Sequence, residues 1–156
     1  MAKDVETVER VIAAPPERIF ALVADPRRHR DIDGSGTVRE ATDLPERLEL
    51  GATFGMAMRL GRSYSMVSTV IEFEDGRRIA WQSRPPSGVT KYLFGGRIWR
   101  YELDPVAGGT RVRESWDITE EKFKRIVRPY RTKTRANMVA TLERIDRLVT
   151  AEPATG

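Results

Sequence analysis

The sequence predicts an α+β domain in which a long C-terminal helix packs against one face of an antiparallel sheet. Apolar residues alternate with a period of two through most of the chain, and the period becomes helical after residue 118. Short breaks rich in Gly, Pro and Asp separate the alternating segments, as they separate the strands of a sheet. This segregation of strands from a long helix is typical of α+β domains.

The first elements are a strand at residues 5–13 and a short helix at 16–24. A pair of prolines ends the strand, and the helix has Pro and Glu in its first turn, where both are favoured. Asp25-Pro26 ends this helix. A second short helix is expected before the glycine-containing turn at 33–36, and a short strand at 37–42 follows.

Three longer strands, at 52–60, 63–73 and 77–84, form the centre of the predicted sheet. A two-residue turn at Gly61-Arg62 would pair Phe54 with Thr69. The face defined by this register is mostly apolar and contains Phe54, Met56, Met58, Val67, Thr69, Ile71 and Phe73.

The loop that follows the second of these strands has two alternative lengths. A two-residue Asp-Gly turn would place Ile79 and Trp81 on the face opposite Phe73. A longer loop, with Gly76 in the left-handed conformation, places them on the same face. Because a one-residue slip would move a whole apolar set into water, the longer loop is predicted.

The last two strands place one charge among apolar residues. Their shared face carries Arg97, Trp99, Tyr101 and Leu103 on one strand and Val112, Glu114, Trp116 and Ile118 on the next. Depending on the register, Tyr101 or Trp99 lies opposite Glu114. Two interpretations of Glu114 remain open: it is tied structurally to an arginine or to the sheet edge, or it transfers protons with a pKa raised by burial.

The C-terminal helix is predicted to begin near Thr119, a good capping residue. Its inward positions recur at three- and four-residue spacing and are Phe123, Val127, Tyr130, Thr134, Met138, Leu142, Ile145 and Val149. Pro129 either kinks this helix or splits it in two. Residues 1–150 are therefore predicted to form one domain, and 151–156 a frayed tail.

Composition excludes several kinds of site. The 156 residues include no Cys and one His, which leaves no disulfide framework, no cysteine nucleophile and no transition-metal cluster of the usual kind. No phosphate-cradling glycine loop or complete dinucleotide fingerprint occurs, so neither a metal nor a cofactor is predicted. His29 lies in a run of arginines and is expected to be an exposed or capping residue.

Charge is concentrated in one basic stretch, residues 122–135, which contains seven basic side chains in a chain of net charge +4. It is interpreted either as a solvated face or as an electropositive rim for a polyanion. No motif supports specific nucleic-acid binding. A run of about 18 apolar residues and the apolar core of a signal peptide are both missing, so a cytoplasmic protein without membrane insertion is expected.

Several motifs occur in an order that resembles a known family. They are residues 12–26 (a strand-to-helix segment), Asp33-Gly34-Ser35-Gly36, Arg78-Ile79-Ala80-Trp81, Trp99-x-Tyr101-x-Leu103-x-Pro105 followed by Gly108-Gly109-Thr110-Arg111-Val112, and Met138-x-x-Thr141-Leu142-Glu143-Arg144-Ile145. They resemble the START-like, helix-grip superfamily, and within it the polyketide cyclase/dehydrase-type proteins. The resemblance implies a curved sheet wrapped around the C-terminal helix, two short helices after the first strand, and a deep cavity between sheet and helix.

Members of this family bind lipids, hormones or polyketides, or act as aromatases and cyclases. This chain departs from the pattern at Asp31-Ile32-Asp33, where relatives often carry a tryptophan, so the cavity mouth is expected to differ in shape. No catalytic residue can be transferred by motif, because such a fold carries many chemistries.

The predicted function is the binding of a small hydrophobic molecule (lipid-like, polyketide-like or aromatic) by a monomer or homodimer. The predicted ligand contacts are Phe54, Met56, Met58, Val67, Thr69, Ile71, Trp81, Ser83, Trp99, Trp116, Tyr130, Thr134, Met138 and Leu142. For the apolar members, an ordinary core role is the alternative. A first alternative function is a cyclase, aromatase or dehydratase that uses Glu114, Tyr101 and Arg97. A second is a regulatory interaction module that uses the basic stretch.

Overall fold

The computed structural model describes residues 4–34, 38–42, 47–60, 62–85 and 95–151, and only the backbone of residues 38–42, 56–60 and 62–65. Strand β1 (Val5–Ile12) is followed by helix α1 (Pro16–Val23), a 3-10 turn (Pro26–Arg28) and α2 (His29–Ile32). The next strands are β2 (Val38–Thr42), β3 (Thr53–Leu60), β4 (Arg62–Glu74), β5 (Arg78–Arg84), β6 (Arg97–Val106) and β7 (Gly109–Asp117). They are followed by α3 (Lys124–Val127), a 3-10 turn (Arg128–Tyr130) and α4 (Arg131–Ala151).

One antiparallel sheet, in the order β1-β7-β6-β5-β4-β3-β2, contains the seven strands of the described residues. Helix α4 lies closest to β1 and β7, and it buries Met138, Leu142 and Ile145 in the core between helix and sheet. The predicted α+β helix-grip fold is confirmed. The predicted frayed tail lies outside the described residues, except for Ala151 at the end of α4.

Ion pairs fix α4 to the edge strand β1. Arg10 Nε donates to Asp146 Oδ2 at 2.7 Å, and Glu6 accepts hydrogen bonds from both Arg131 and Arg135. The hydrogen bond from Arg131 is the main reason that the pKa of Glu6 is lowered. The charged face of the helix thus positions its apolar face over the sheet.

The C-terminal helical segment begins later than predicted. Thr119 is not a helix cap, because its N–H and hydroxyl both donate to Asp117 Oδ1, at 3.0 and 2.7 Å. Pro129 lies in the 3-10 turn between α3 and α4, so the helix is split rather than kinked. The predicted inward positions Phe123 and Tyr130 precede α4 and are 45% and 54% exposed.

The register of β3 and β4 differs by one residue from the prediction. Phe54 pairs with Ser68, not with Thr69. Successive side chains of a strand point to opposite faces, so Ser68 and Val70 join the face of Phe54 and are 3% and 1% exposed. Val67 and Thr69 point to the other face, and their predicted place beside Phe54 is wrong.

A β-bulge at Ile71 explains why the alternation of apolar residues was misleading. Val70 pairs with Trp81 and Phe73 with Ile79, which leaves Ile71 as an extra residue that is 37% exposed. The bulge returns Phe73 to the core face while Ile71 points away from it, so the prediction for Ile71 is also wrong. No alternation pattern can show such an insertion.

The loop between β4 and β5 has the longer form that was predicted. Glu74 pairs with Arg78 across three loop residues, and Gly76 has a φ of 76°. Ile79 and Trp81 therefore lie on the core face with Phe73.

Candidate ligand-binding site

Three tryptophans form a row across the inner, helix-covered face of the sheet. The strand register pairs Trp81 with Trp99 and Trp99 with Trp116, so their predicted common face is confirmed. Trp81 and Trp116 are 7% and 2% exposed, whereas Trp99 between them is only partly buried. Trp99 is therefore the member of this row that solvent reaches.

A second row, beside the tryptophans, contains a buried carboxyl group. Tyr101 pairs with Glu114, and the Tyr101 hydroxyl donates to Glu114 Oε2 at 3.0 Å. Both side chains are almost completely buried, with 4% and 2% exposed. Among the described residues, Glu114 Oε1 has no hydrogen-bond partner.

The pKa of Glu114 is raised to about 8, mainly by burial; the Tyr101 hydrogen bond opposes this rise, and the negative charge of Asp33 adds to it. Burial and the charge of Glu114 raise the pKa of Tyr101 well above its usual value. An arginine would have kept Glu114 ionised, but the arginine tie, one of the alternatives left open by the sequence, does not occur among the described residues. Glu114 is therefore mostly a neutral acid at pH 7.

Arg97, the predicted partner of Glu114, lies instead beside Glu121, with 3.5 Å between Arg97 Nε and Glu121 Oε2. Both atoms are buried and lack hydrogen bonds among the described residues. Arg97 pairs with Ser83, whose hydroxyl lies 2.8 Å from that of Ser68. Ser68, Ser83 and Arg97 thus form a polar row on the other side of the tryptophans. Glu121 adjoins this row, although the sequence predicted it in the first turn of the C-terminal helix.

Of the two predicted roles for His29, exposed or capping, the exposed one is wrong because the residue is buried, whereas its ring does bond to the last residue of α1. Its ring stacks on Trp81, with centroids 4.9 Å apart, and its Nε2–H donates to the Val23 carbonyl at 2.7 Å. Burial lowers the pKa of His29, so the ring is neutral at pH 7. The burial of His29 could not be predicted from the sequence, because its neighbours Arg27 and Arg30 are exposed and only His29 in this run points inward.

The segment after α2 closes the site from the helix side. The Gly34 N–H donates to Thr141 Oγ1 at 2.9 Å, and a Cβ atom at Gly34 would lie 2.3 Å from the Asn137 carbonyl oxygen. This close approach holds the neighbouring Asp33 within electrostatic reach of Glu114. The sequence predicted a turn here, but it gave no indication that Asp33 belongs to the site.

The predicted ligand contacts divide into three groups. Seven lie in the core between sheet and helix or beside its tryptophan row: Phe54, Trp81, Ser83, Trp99, Trp116, Met138 and Leu142. Met56 and Met58 form the second group: they belong to the residues of which only the backbone is described. The others point elsewhere or lie nearer the surface: Val67, Thr69 and Ile71 on the outer face, Tyr130 exposed, and Thr134 half-buried on α4.

The basic stretch is partly engaged within the fold. Arg128 pairs with Asp4 at 3.0 Å, while Arg131 and Arg135 pair with Glu6. At its start, residues 122–126 line a shallow surface hollow of about 280 Å³. Three of the seven basic side chains thus serve to dock the C-terminal segment on β1.

In the described part of the chain, no helix has both the length and the apolar composition needed to cross a bilayer. No group of three or more potential His, Cys, Asp or Glu metal ligands occurs there either.

Comparisons with known proteins agree with the motif resemblance. A family model described as "Polyketide cyclase / dehydrase and lipid transport" matches residues 5–150. The uncharacterized protein Rv0088 of Mycobacterium tuberculosis (strain ATCC 25618 / H37Rv) is 39% identical over 108 residues, which are 68% of this chain and 44% of that protein. The uncharacterized protein MT0096 of strain CDC 1551 / Oshkosh is 38% identical with the same coverage. The match therefore spans less than half the length of these curated relatives.

Solved structures share the fold at low sequence identity. Protein CV1439 from Chromobacterium violaceum has a TM-score of 0.69 and 17% identity, over 95% of this chain and 98% of that one. Protein NE0264 from Nitrosomonas europaea has a TM-score of 0.70 and 16% identity, over 99% of both chains. DynU16, from the dynemicin biosynthetic locus, has a TM-score of 0.65 and 16% identity, over 98% of this chain and 50% of that one.

Proposed function

Since the chain belongs to the polyketide cyclase/dehydrase and lipid-transport family, we propose that it binds one small hydrophobic molecule on the inner face of its sheet. The observation that supports this most is the partial exposure of Trp99 between two buried tryptophans. The solvent-exposed part of this indole is apolar surface that a ligand can cover. Removing it from water is favourable through the hydrophobic effect.

Polar groups on both sides of the row would orient the ligand. Glu114 and Tyr101 lie on one side, and Ser83 and Arg97 on the other. Ligand sites of this kind are mainly apolar, with a few placed polar groups that give specificity. A molecule with an apolar body and one polar end fits this arrangement.

Dye binding and tryptophan quenching test the proposal together. N-phenyl-1-naphthylamine should bind at one site per chain and protect Trp99 from acrylamide. Trp99→Phe should remove most of the quenchable fluorescence, because Trp81 and Trp116 are buried. Ile71→Ala, a change on the outer face, is the matched control and should alter neither signal.

Met138→Trp then asks whether the ligand lies between sheet and helix. Met138 is 1% exposed on the inward side of α4, and the larger side chain should occupy ligand space. We expect dye binding to be lost in a variant that remains folded by circular dichroism. Dye that binds the wild type without protecting Trp99, or binds Met138→Trp with undiminished affinity, would place the ligand elsewhere.

One observation favours a second candidate function, a cyclase, aromatase or dehydratase in the same site. Glu114 combines a pKa of about 8 with an unpartnered oxygen in a dry environment, and these are properties of a general acid or base. For an authentic substrate, Glu114→Gln should slow turnover by about 10²–10⁴ while ligand binding persists. Arg97 is not needed for this role, because it lies beside Glu121.

A further inference from the structure

Glu114 carries a buried oxygen that nothing in the described structure satisfies. Its Oε2 accepts the hydrogen of the Tyr101 hydroxyl, while Oε1 has no partner and no solvent contact. Buried polar atoms are nearly always hydrogen-bonded, so an unpaired one points to a ligand group or an ordered water molecule.

Among the described residues, no Lys or Arg forms an ion pair with Glu114. On β1, Glu6 and Arg10 are paired with residues of α4. On α2 and just after it lie the neutral His29 and the acidic Asp33, and Asp33 disfavours a second negative charge nearby. Burial is the larger cause, and together they give Glu114 a pKa of about 8.

A carboxylic acid accepts hydrogen bonds best at its carbonyl oxygen, so with Oε2 accepting from Tyr101 we assign the proton of neutral Glu114 to Oε1. The group therefore presents an O–H donor without an acceptor. Glu114 and Trp99 are diagonal neighbours on β7 and β6, so this donor lies beside the partly open position in the tryptophan row.

We propose that Glu114 Oε1–H donates a hydrogen bond to the neutral carbonyl oxygen, ketone or ester, of an apolar ligand that lies over Trp99. A carbonyl offers an acceptor and no donor, which is what this single donor requires. A ligand carboxylate would add a second negative charge near Asp33, and an amine would require Glu114 in its ionised form. This inference rests on the proposed function and specifies the chemical class of its ligand.

Two dyes separate the proposal from the existence of the pocket. One is the naphthalene ketone 6-propionyl-2-dimethylaminonaphthalene, and the other is N-phenyl-1-naphthylamine, which has no carbonyl. Both are titrated by fluorescence between pH 6 and 9.5. Ketone affinity should be constant below the Glu114 midpoint and then weaken by about tenfold per pH unit, because only the protonated site donates. The affinity of the amine dye should not follow this midpoint.

Three variants assign the pH dependence to this group. Glu114→Gln keeps a donor at this position, so it should retain ketone binding and lose the pH dependence. Tyr101→Phe removes a hydrogen bond that lowers the pKa of Glu114, so the midpoint should move to higher pH. Glu102→Gln, at a glutamate on the outer face of β6 that pairs with Arg78, is the matched control and should leave the midpoint unchanged.

The outcomes are distinct. If neither dye binds, the proposed function fails, and this inference fails with it. If the amine dye binds but ketone affinity is independent of pH or rises with pH, the pocket stands and the carbonyl assignment is overturned. Should Glu114→Gln fail to fold, an unmoved midpoint in Tyr101→Phe would still overturn the assignment.

Discussion

At the scale of single residues, the core contains two glutamates whose burial is made tolerable in different ways. Glu121 lies next to the Arg97 guanidinium, so opposite charges share the site. Glu114 has no such partner among the described residues and is held as a neutral acid with one hydrogen bond from Tyr101. Ionising a buried carboxyl group without a cation is costly, and protonation avoids that cost.

Protonation of Glu114 should make the stability of the fold depend on pH. The folded-state pKa, about 8, lies above the ordinary value of 4.5, so between these values the folded state binds more protons than the unfolded state. Unfolding free energy should therefore fall as pH rises from about 4.5 to 8, by up to about 1.4 kcal/mol per pH unit, and then level off. Urea denaturation at a series of pH values measures this slope.

Glu114→Gln is the matched comparison, because glutamine has the same shape and cannot ionise. The variant should be close to wild type in stability near pH 4, and its advantage should grow as the pH rises to about 8 and then stay constant. If the unfolding free energies of the two proteins changed in parallel with pH across this range, Glu114 would ionise freely and its burial would have no energetic consequence.

The sequence predicted the inward position of Glu114 and Tyr101 as one of two residues that could lie opposite it, but not that Arg97 would lie elsewhere. Alternation along β7 is regular, so its inward direction and a neighbour on β6 followed from the period of two. Whether Arg97 reaches Glu114 depends on where the chain runs after β7. The sequence placed a helix there from Thr119, whereas the structure has a turn that brings Glu121 to Arg97.

At the scale of elements, the contact between Gly34 and α4 decides how closely the segment after α2 can approach the helix. A Cβ atom at this position would lie 2.3 Å from the Asn137 carbonyl and 2.6 Å from the Thr141 nitrogen. Both are backbone atoms of α4 and cannot rotate away. Glycine is thus required here for space, and Asp33 reaches the site because of it.

Gly34→Ala should destabilise the fold by about 2–3 kcal/mol, since the added methyl group forces a backbone shift. The shift moves Asp33 away from Glu114, so the pH at which stability levels off should decrease. Gly51→Ala is the control: its φ of 85° makes alanine strained, but the space around it is open. It should cost about 1–2 kcal/mol and leave that pH unchanged. An equally unchanged pH in Gly34→Ala would separate Asp33 from the site.

The register between β3 and β4 is a feature that the alternation of apolar residues could not predict. Val67, Thr69 and Ile71 form as regular a β pattern as the residues that are in fact buried, so the pattern alone favoured the wrong register. The bulge at Ile71 lets Ser68 and Phe73 share one face although an even number of residues lies between them, a spacing that puts two residues of a regular strand on opposite faces. The loop around Gly76 was predictable because glycine favours the left-handed conformation that a three-residue hairpin loop needs.

At the scale of the whole molecule, the positive charge is distributed less simply than the composition implies. The basic stretch contains seven cationic side chains, but Arg128, Arg131 and Arg135 form ion pairs with Asp4 and Glu6. These pairs hold the C-terminal segment against β1. The side chains outside such pairs are Lys122, Lys124, Arg125 and Lys133, if only the described residues are considered.

Salt dependence of polyanion binding should reflect four cations rather than seven. With single-stranded DNA as the probe, the slope of log affinity against log salt should be about −3, whereas engagement of the full stretch would give about −5.

Glu6→Gln releases Arg131 and Arg135 from their pairs and should steepen the slope by about one unit. Glu9→Gln, on the same strand beside Arg113, is the control and should leave it unchanged. Fluorescence anisotropy at four salt concentrations measures each slope. A wild-type slope near −5 would mean that a polyanion displaces the ion pairs with β1, and the regulatory function of the basic stretch would then gain support over a merely solvated face.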